Sequence, residues 1–195
     1  MKIVFATGNR GKLREAAEIL GPGFELLTPA DLGITEEIPE TGNTFRANSI
    51  QKAEYVWRRT GLNCFADDSG LEVDALDGAP GIHSARYAGE GHDFEANIKK
   101  LLAELRKHPG ASRTARFRTS VTLILDGEQH YFDGTMEGRI ATRRAGSRGF
   151  GYDPIFIADA LPGQTLAQAG ESAKNTISHR GQALRAMAAW LAEQP

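Results

Sequence analysis

The chain has 195 residues, 41% of them hydrophobic, and 23 Lys plus Arg against 25 Asp plus Glu leave a formal charge of −2. A chain of roughly 150 to 200 residues buries about 70% of its extended surface on folding, so a single domain over residues 1–195 with one sizeable core is expected. Val121 to Leu125 is typical of the longest apolar runs and falls far short of the ~20 residues of a membrane span. Met1-Lys2-Ile3-Val4-Phe5 enters a glycine turn without a leader pattern, and the lone Cys64 has no partner for a disulfide or zinc site. Membrane and secreted classes are thereby disfavoured, and a cytoplasmic protein with an inert buried thiol is expected.

Lys2 to Ala6 is a short apolar run suited to a buried strand, and Leu13, Ala16, Ala17 and Leu20 recur at helical spacing over Lys12 to Leu20. Gly21-Pro22-Gly23 stops that helix before a second strand over Phe24 to Leu27. A loop over Gly33 to Asn43 leads to Thr44, which can cap a helix running to about Arg59, with Gly61 closing it. Leu62 to Ala66 reads as a strand ending in Asp67-Asp68-Ser69-Gly70, and Phe94 to Lys107 as a helix with Ile98, Leu101, Leu102 and Leu105 inward. Asp126-Gly127 between Phe117 to Leu125 and Gln129 to Asp133 is a hairpin signal of type I′. A last helix runs from about Gly181 to Ala192. Strands alternating with helices, followed by an antiparallel pair, predict an α/β fold with a mixed sheet.

Charge is unevenly spread. Glu15 to Glu40 holds seven acids and no Lys or Arg, whereas Arg106 to Arg148 holds nine basic residues and four acids. Arg113, Arg116, Arg118 and Arg143, Arg144, Arg148 could serve phosphates or simply form a solvated basic surface. Without interleaved aromatics they lack the stacking platform of a single-strand binder, so no nucleic-acid partner is expected.

Three groups of residues carry chemistry. Thr7-Gly8-Asn9-Arg10-Gly11-Lys12 lies between strand and helix, where backbone N–H groups, the helix dipole and the lysine attract an anion. The spacing is not that of a P-loop, and a purely structural turn is the alternative. Glu40, Asp67 and Asp68 offer hard oxygen ligands suited to Mg²⁺ or are solvated turn acids; strand alternation turns Asp67 and Asp68 to opposite faces. Asn48 and Lys52, four residues apart, share a face of the helix after Glu40. Late in the chain, Phe150 between two glycines can lie flat on a base, with Asp153 accepting from its edge and His179 or Arg180 donating to it, although a Gly-aromatic-Gly loop can equally be a hinge.

Taken together, Thr7-Gly8-Asn9 with Lys12, Glu40-Thr41-Gly42 with Phe45, Ala66-Asp67-Asp68-Ser69-Gly70-Leu71, Gly78-Ala79-Pro80-Gly81 with Ser84-Ala85-Arg86-Tyr87, Phe150-Gly151-Tyr152-Asp153-Pro154, and Lys174-Asn175 with Ser178-His179-Arg180 resemble the inosine/xanthosine triphosphate pyrophosphatase family, in order over nearly the whole chain. The resemblance implies an elongated central sheet flanked by helices, two lobes with a nucleotide cleft between them, and a homodimer. It implies a Mg²⁺-dependent enzyme that hydrolyses ITP, dITP and XTP to the monophosphate and pyrophosphate.

Carried over by position, Thr7, Gly8, Asn9, Arg10, Gly11 and Lys12 would bind triphosphate. Glu40 and Asp68 would hold metal, with Asp68 also the base for water. Lys52, Ser69 and Lys174 would contact phosphate or sugar, and Phe150, Gly151, Tyr152, Asp153, His179 and Arg180 would hold the base. Two departures stand out: Ala47 replaces the usual Glu before Asn48, and Leu166-Ala167-Gln168 replaces Phe-Ala-Glu. A nucleotide-sensing module without turnover and a pyrophosphatase for other modified nucleotides are the rival readings.

Overall fold

A computed structural model describes residues 1–194. Six strands form one mixed sheet in the order β2-β1-β3-β4-β5-β6. In chain order the elements are β1 (Lys2–Phe5), α1 (Arg10–Leu20), β2 (Glu25–Leu27), α2 (Phe45–Thr60), β3 (Cys64–Val73), α3 (Phe94–Arg106), β4 (Thr114–Leu125), β5 (Glu128–Ile140), β6 (Phe156–Ala158), α4 (Leu166–Ala169), α5 (Glu171–Ile177) and α6 (His179–Ala192). β1 pairs in parallel with both β2 and β3, and β5 pairs antiparallel with β6. The mixed α/β architecture read from the sequence is therefore present. Asp126 and Gly127 both take positive φ, 50° and 90°, as a type I′ turn demands.

The chain packs as two compact units, one of Met1–Asp68, Thr119–Gly134 and Arg180 onward, the other of Ser69–Arg118 and Thr135–His179. In the first unit the period-2 alternation of the strands sorts the core into two clusters. Ile3, Phe5, Phe65, Val121 and Leu123 pack with α1 and α6 through Ala16, Ala183, Leu184 and Met187. Val4, Ala6, Cys64, Ala66 and Ile124 pack with α2 through Ala53 and Val56. The helical periodicity of α1 is imperfect: Ala17 is exposed, and Glu15 is buried in its place. In the second unit α3 inserts Ile98, Leu101 and Leu105 against Leu71, Val73, Met136, Ile140 and Phe156.

Two boundaries differ materially from expectation. β5 runs on past Asp133 to Ile140, and β3 runs on past Gly70 to Val73, with almost every residue along it buried. The acidic pair interrupts the apolar pattern that marks a buried strand, so hydropathy alone ends it too early. The short elements β6, α4 and α5 carry too few residues for their periodicity to register. Cys64 is fully buried and its Sγ donates to the Ala53 carbonyl at 3.3 Å; burial pushes the thiol up to about 12, so it is inert as a nucleophile.

Candidate active site

The strand alternation that sorts the core also sorts the two adjacent acids. Asp67 shares the face of Phe65 and meets α1 and α6: its Oδ1 accepts from Lys12 Nζ at 3.0 Å and its Oδ2 from Arg180 Nε at 2.9 Å. Arg180 also donates to Glu15, and Glu15, Asp67 and Arg180 are each no more than 2% exposed. Asp68 shares the face of Cys64 and Ala66 and meets α2: its Oδ2 accepts from Asn48 Nδ2 at 3.0 Å, and Lys52 Nζ lies 3.7 Å from its Oδ1. Lys52 donates in turn to Glu40. The i,i+4 pair Asn48 and Lys52 is thus directed at one carboxylate, and the Glu40 loop is drawn to the same ammonium.

Burial is the main reason that Asp68 sits above the usual carboxylate range, against the lowering pull of Lys52 and Lys12. Burial alone would lower Lys52, but Asp68, Glu40 and Asp67 together hold it above the ordinary lysine range. Lys12 is pushed the other way, mainly by burial and also by the nearby Lys52 and Arg180. A basic carboxylate beside a firmly charged ammonium can accept a proton while holding an anion.

Among the described residues no three His, Cys, Asp or Glu side chains group as a metal site. Mg²⁺ asks for less than that, since one or two carboxylates suffice when phosphates and water complete the shell. The hard oxygens of Glu40 and Asp68, converging on one ammonium, fit that requirement.

The turn before α1 is arranged differently from the expected open cradle. Asn9 is the helix N-cap, and its Oδ1 accepts from Gly11 N at 2.8 Å and Lys12 N at 3.1 Å, while Asn9 N donates to Thr7 Oγ1. The helix thus satisfies its own first donors. The Gly8 and Arg10 N–H groups have no such internal acceptor among the described residues, and with the Lys12 ammonium they are the donors nearest to hand for an incoming anion.

The second unit builds a separate, sparser arrangement. Lys174 Nζ donates to Asp153 Oδ2 at 2.7 Å and lies 4.5 Å from the Phe150 ring centroid, and Phe150 N donates to the same carboxylate oxygen at 3.0 Å. A Cβ at Gly149, where φ is +76°, would come within 2.1 Å of that oxygen, so only glycine permits the loop to close on Asp153. Asp153, expected to accept from a base edge, therefore organises the Phe150 loop, and Lys174, expected at phosphate or sugar, is its buried partner.

Tyr152 faces the core, and its hydroxyl donates to the Ser84 carbonyl at 2.8 Å; burial raises its pKa. Gly151 carries a φ of +60°. His179 is buried and stacks on Phe117 at 5.0 Å, whereas Arg180, expected beside it at the base, is engaged by Asp67 and Glu15. Ser69 follows Asp68 on β3, half-buried. Glu15 was not foreseen; an acid standing within an apolar helical stripe was the available signal.

The Ham1 family model matches residues 3–190. A dITP/XTP pyrophosphatase of Porphyromonas gingivalis is 51% identical over 185 residues, which cover 94% of this chain and 93% of that one. A dITP/XTP pyrophosphatase of Bacillus subtilis is 47% identical over 184 residues, covering 93% and 92%. Among solved structures, a HAM1 protein from Coxiella burnetii superposes with a TM-score of 0.89 at 38% identity, covering 100% of both chains. With matching motifs, matching architecture and near-complete coverage in each comparison, this chain belongs to the Ham1 family.

Proposed function

We propose that this chain hydrolyses the non-standard purine nucleoside triphosphates ITP, dITP and XTP to the monophosphate and pyrophosphate with Mg²⁺, as one cytoplasmic domain over residues 1–195 that works as a homodimer. The observation that carries this reading is the buried Asp68, held by Asn48 and flanked by a lysine that also binds Glu40. The printed activity of the similar proteins from P. gingivalis and B. subtilis supports it. Among the described residues no helix is long and apolar enough to cross a membrane.

Glu40 and Asp68 would hold Mg²⁺, which when bound supplies neutralisation of phosphate charge and a water of lowered pKa. The chain's own residues do the rest. Asn48 fixes the Asp68 carboxylate so that it can take a proton from water attacking the α-phosphorus. Lys12 and Lys52 balance the charge that develops on the departing pyrophosphate, and the Gly8 and Arg10 N–H groups add donors at the same turn, with Thr7, Asn9 and Gly11 shaping it. Phosphoryl transfer needs little beyond such positioning and electrostatics. Arg180 holds Asp67 and Glu15 in place.

In the second unit, Phe150 is the stacking surface for the base, its loop braced by Asp153 and Lys174 and turned at Gly151, with Tyr152 and His179 buried in the same unit and Ser69 contacting sugar or phosphate. Hypoxanthine and xanthine present O6 and N1–H where adenine presents a donor and an acceptor. Reversed polarity at a buried polar site can separate such bases by up to ~10⁴ to 10⁵.

A panel of ITP, dITP, XTP, ATP and GTP with Mg²⁺ and pyrophosphate detection tests the reading, and rapid release from the first three is expected. Tight ITP binding without release would favour the sensing module. In ¹⁸O-labelled water the label should enter IMP; label in pyrophosphate or orthophosphate would move the attack to the β- or γ-phosphorus.

A further inference from the structure

The arginine clusters of the basic segment are not consumed by the site described above, and the structure divides them. Arg116 is paired with Asp74 and Glu137, Arg118 with Glu72, and Arg144 with Glu95. Arg113 and Arg143 instead meet Arg139 around a cavity of about 350 Å³ in the second unit, where Gln164, Thr165 and Gln168 complete the polar lining. No carboxylate among the described residues lines it, and Arg139 and Arg143 form no ion pair among them.

Part of the lining is fixed in place. Arg113 donates from Nε to the Ile140 carbonyl and from Nη2 to the Ala141 carbonyl, both at 2.6 Å, which fixes its guanidinium while leaving further N–H donors. Arg139 is held in register opposite Ile157 in the β5–β6 pair. The two bordering loops are tied together, since Thr165 Oγ1 donates to the Ala145 carbonyl at 2.7 Å. A Cβ at Gly146, where φ is +82°, would come within 2.5 Å of the Ala167 carbonyl carbon, so the loops touch backbone to backbone.

We propose that this cavity binds a small phosphate-bearing anion. Three arginines line this space with no carboxylate among them, Arg139 and Arg143 reaching it from exposed positions, so an entering anion meets only positive charge, and arginine's planar fork suits phosphate oxygens. The volume lies at the small end of the ~300 to 1,000 Å³ of ligand cavities, which suits inorganic phosphate, pyrophosphate or a nucleoside monophosphate better than a larger ligand. Gln168 also matters: its Oε1 accepts from Thr165 N at 2.9 Å in the capping box of α4, and its neutrality keeps the lining free of negative charge.

Pyrophosphate, phosphate and IMP, each titrated calorimetrically at low salt into the full chain, test the proposal. Lys12→Ala serves as the background that weakens the phosphate site proposed in the first unit. Binding of at least one probe should persist in that background, and pyrophosphate or phosphate binding without IMP would identify an inorganic source, IMP binding alone a nucleotide one. Arg139→Ala with Arg143→Ala should weaken the retained binding by ~10-fold or more. Gln168→Glu should weaken it as well, although Glu preserves the capping box, so this variant separates charge from folding. Loss of all binding with Lys12→Ala alone would overturn the proposal, as would unchanged affinity in the arginine or Gln168 variants. A change in sedimentation without a change in anion binding would assign the arginines to an interface between copies and overturn it too.

Discussion

The two units treat buried charge differently. The first concentrates four carboxylates, Glu15, Glu40, Asp67 and Asp68, around three cations, Lys12, Lys52 and Arg180. The second buries one pair, Lys174 with Asp153, against an aromatic ring. Dense charge on two faces of one strand suits phosphate and metal chemistry, where the charges of the substrate must be met in detail. A lone pair that braces a loop suits a ligand recognised by shape and polarity. The first arrangement is costly to leave half-made, because every member is another's counter-ion.

Asp68→Asn should break the contrast most strongly. Turnover is expected to fall by ~10² to 10⁴, the usual worth of a positioned general base, with circular dichroism unchanged. Near-normal turnover at saturating Mg²⁺ would remove Asp68 from the chemistry. Asp67→Asn, whose partners lie on the other face, should show an effect of different size in the same assay.

Arg180→Met removes the guanidinium that Asp67 and Glu15 share and should cost about 3 to 5 kcal/mol in urea denaturation, the range for breaking a buried pair. Lys174→Met removes the cation from one carboxylate and should cost less; equal losses would mean that the two clusters are equivalent after all.

The pH dependence sharpens the comparison further. Because burial raises Asp68, the acid limb of kcat/KM should lie above the ordinary carboxylate range and vanish in whatever activity Asp68→Asn retains. The stability effect has the opposite sense: a carboxyl raised in the fold contributes stability while protonated and loses it as pH climbs through its folded pKa. Asp68→Asn should therefore be no less stable than the wild type at neutral pH, which melting curves at several pH values can check. The smallest effect is expected at the exposed Arg144–Glu95 pair, where Arg144→Ala should leave the urea midpoint unmoved.

Much of this was legible before any coordinates. Caps such as Thr44, which accepts from Ala47 N at 3.0 Å, and the Asp126-Gly127 turn are local signals, and local signals survive folding. The opposed faces of Asp67 and Asp68 followed from strand pleat alone. What escaped was long-range: Glu15 meets Arg180 across 165 positions, and nothing in the residues around Glu15 names its partner. The self-capped Asn9 turn escaped because an asparagine at that position can close a helix or leave its donors to a ligand, and only geometry decides between them. Tyr152 and Asp153 belong to the motif block that carries the resemblance, and that block does not say that the chain turns there, sending one ring into the core and one carboxylate under the loop.

The alternation along β3 also bears on how the gene can change. Between Gly33 and Pro39 the chain is irregular, and a length change there, ahead of Glu40, is absorbed by the loop. A single codon gained or lost within β3 between Ala66 and Asp67 has no such outlet: with Phe65 and Ala66 held in their clusters, it would turn each acid toward the other's helix, handing the α2 lysine's carboxylate to α1 and α6. The strand therefore tolerates substitution far better than a change of length, and the count of residues through the acidic pair is fixed even where an outlying stretch such as Gly33 to Pro39 can vary.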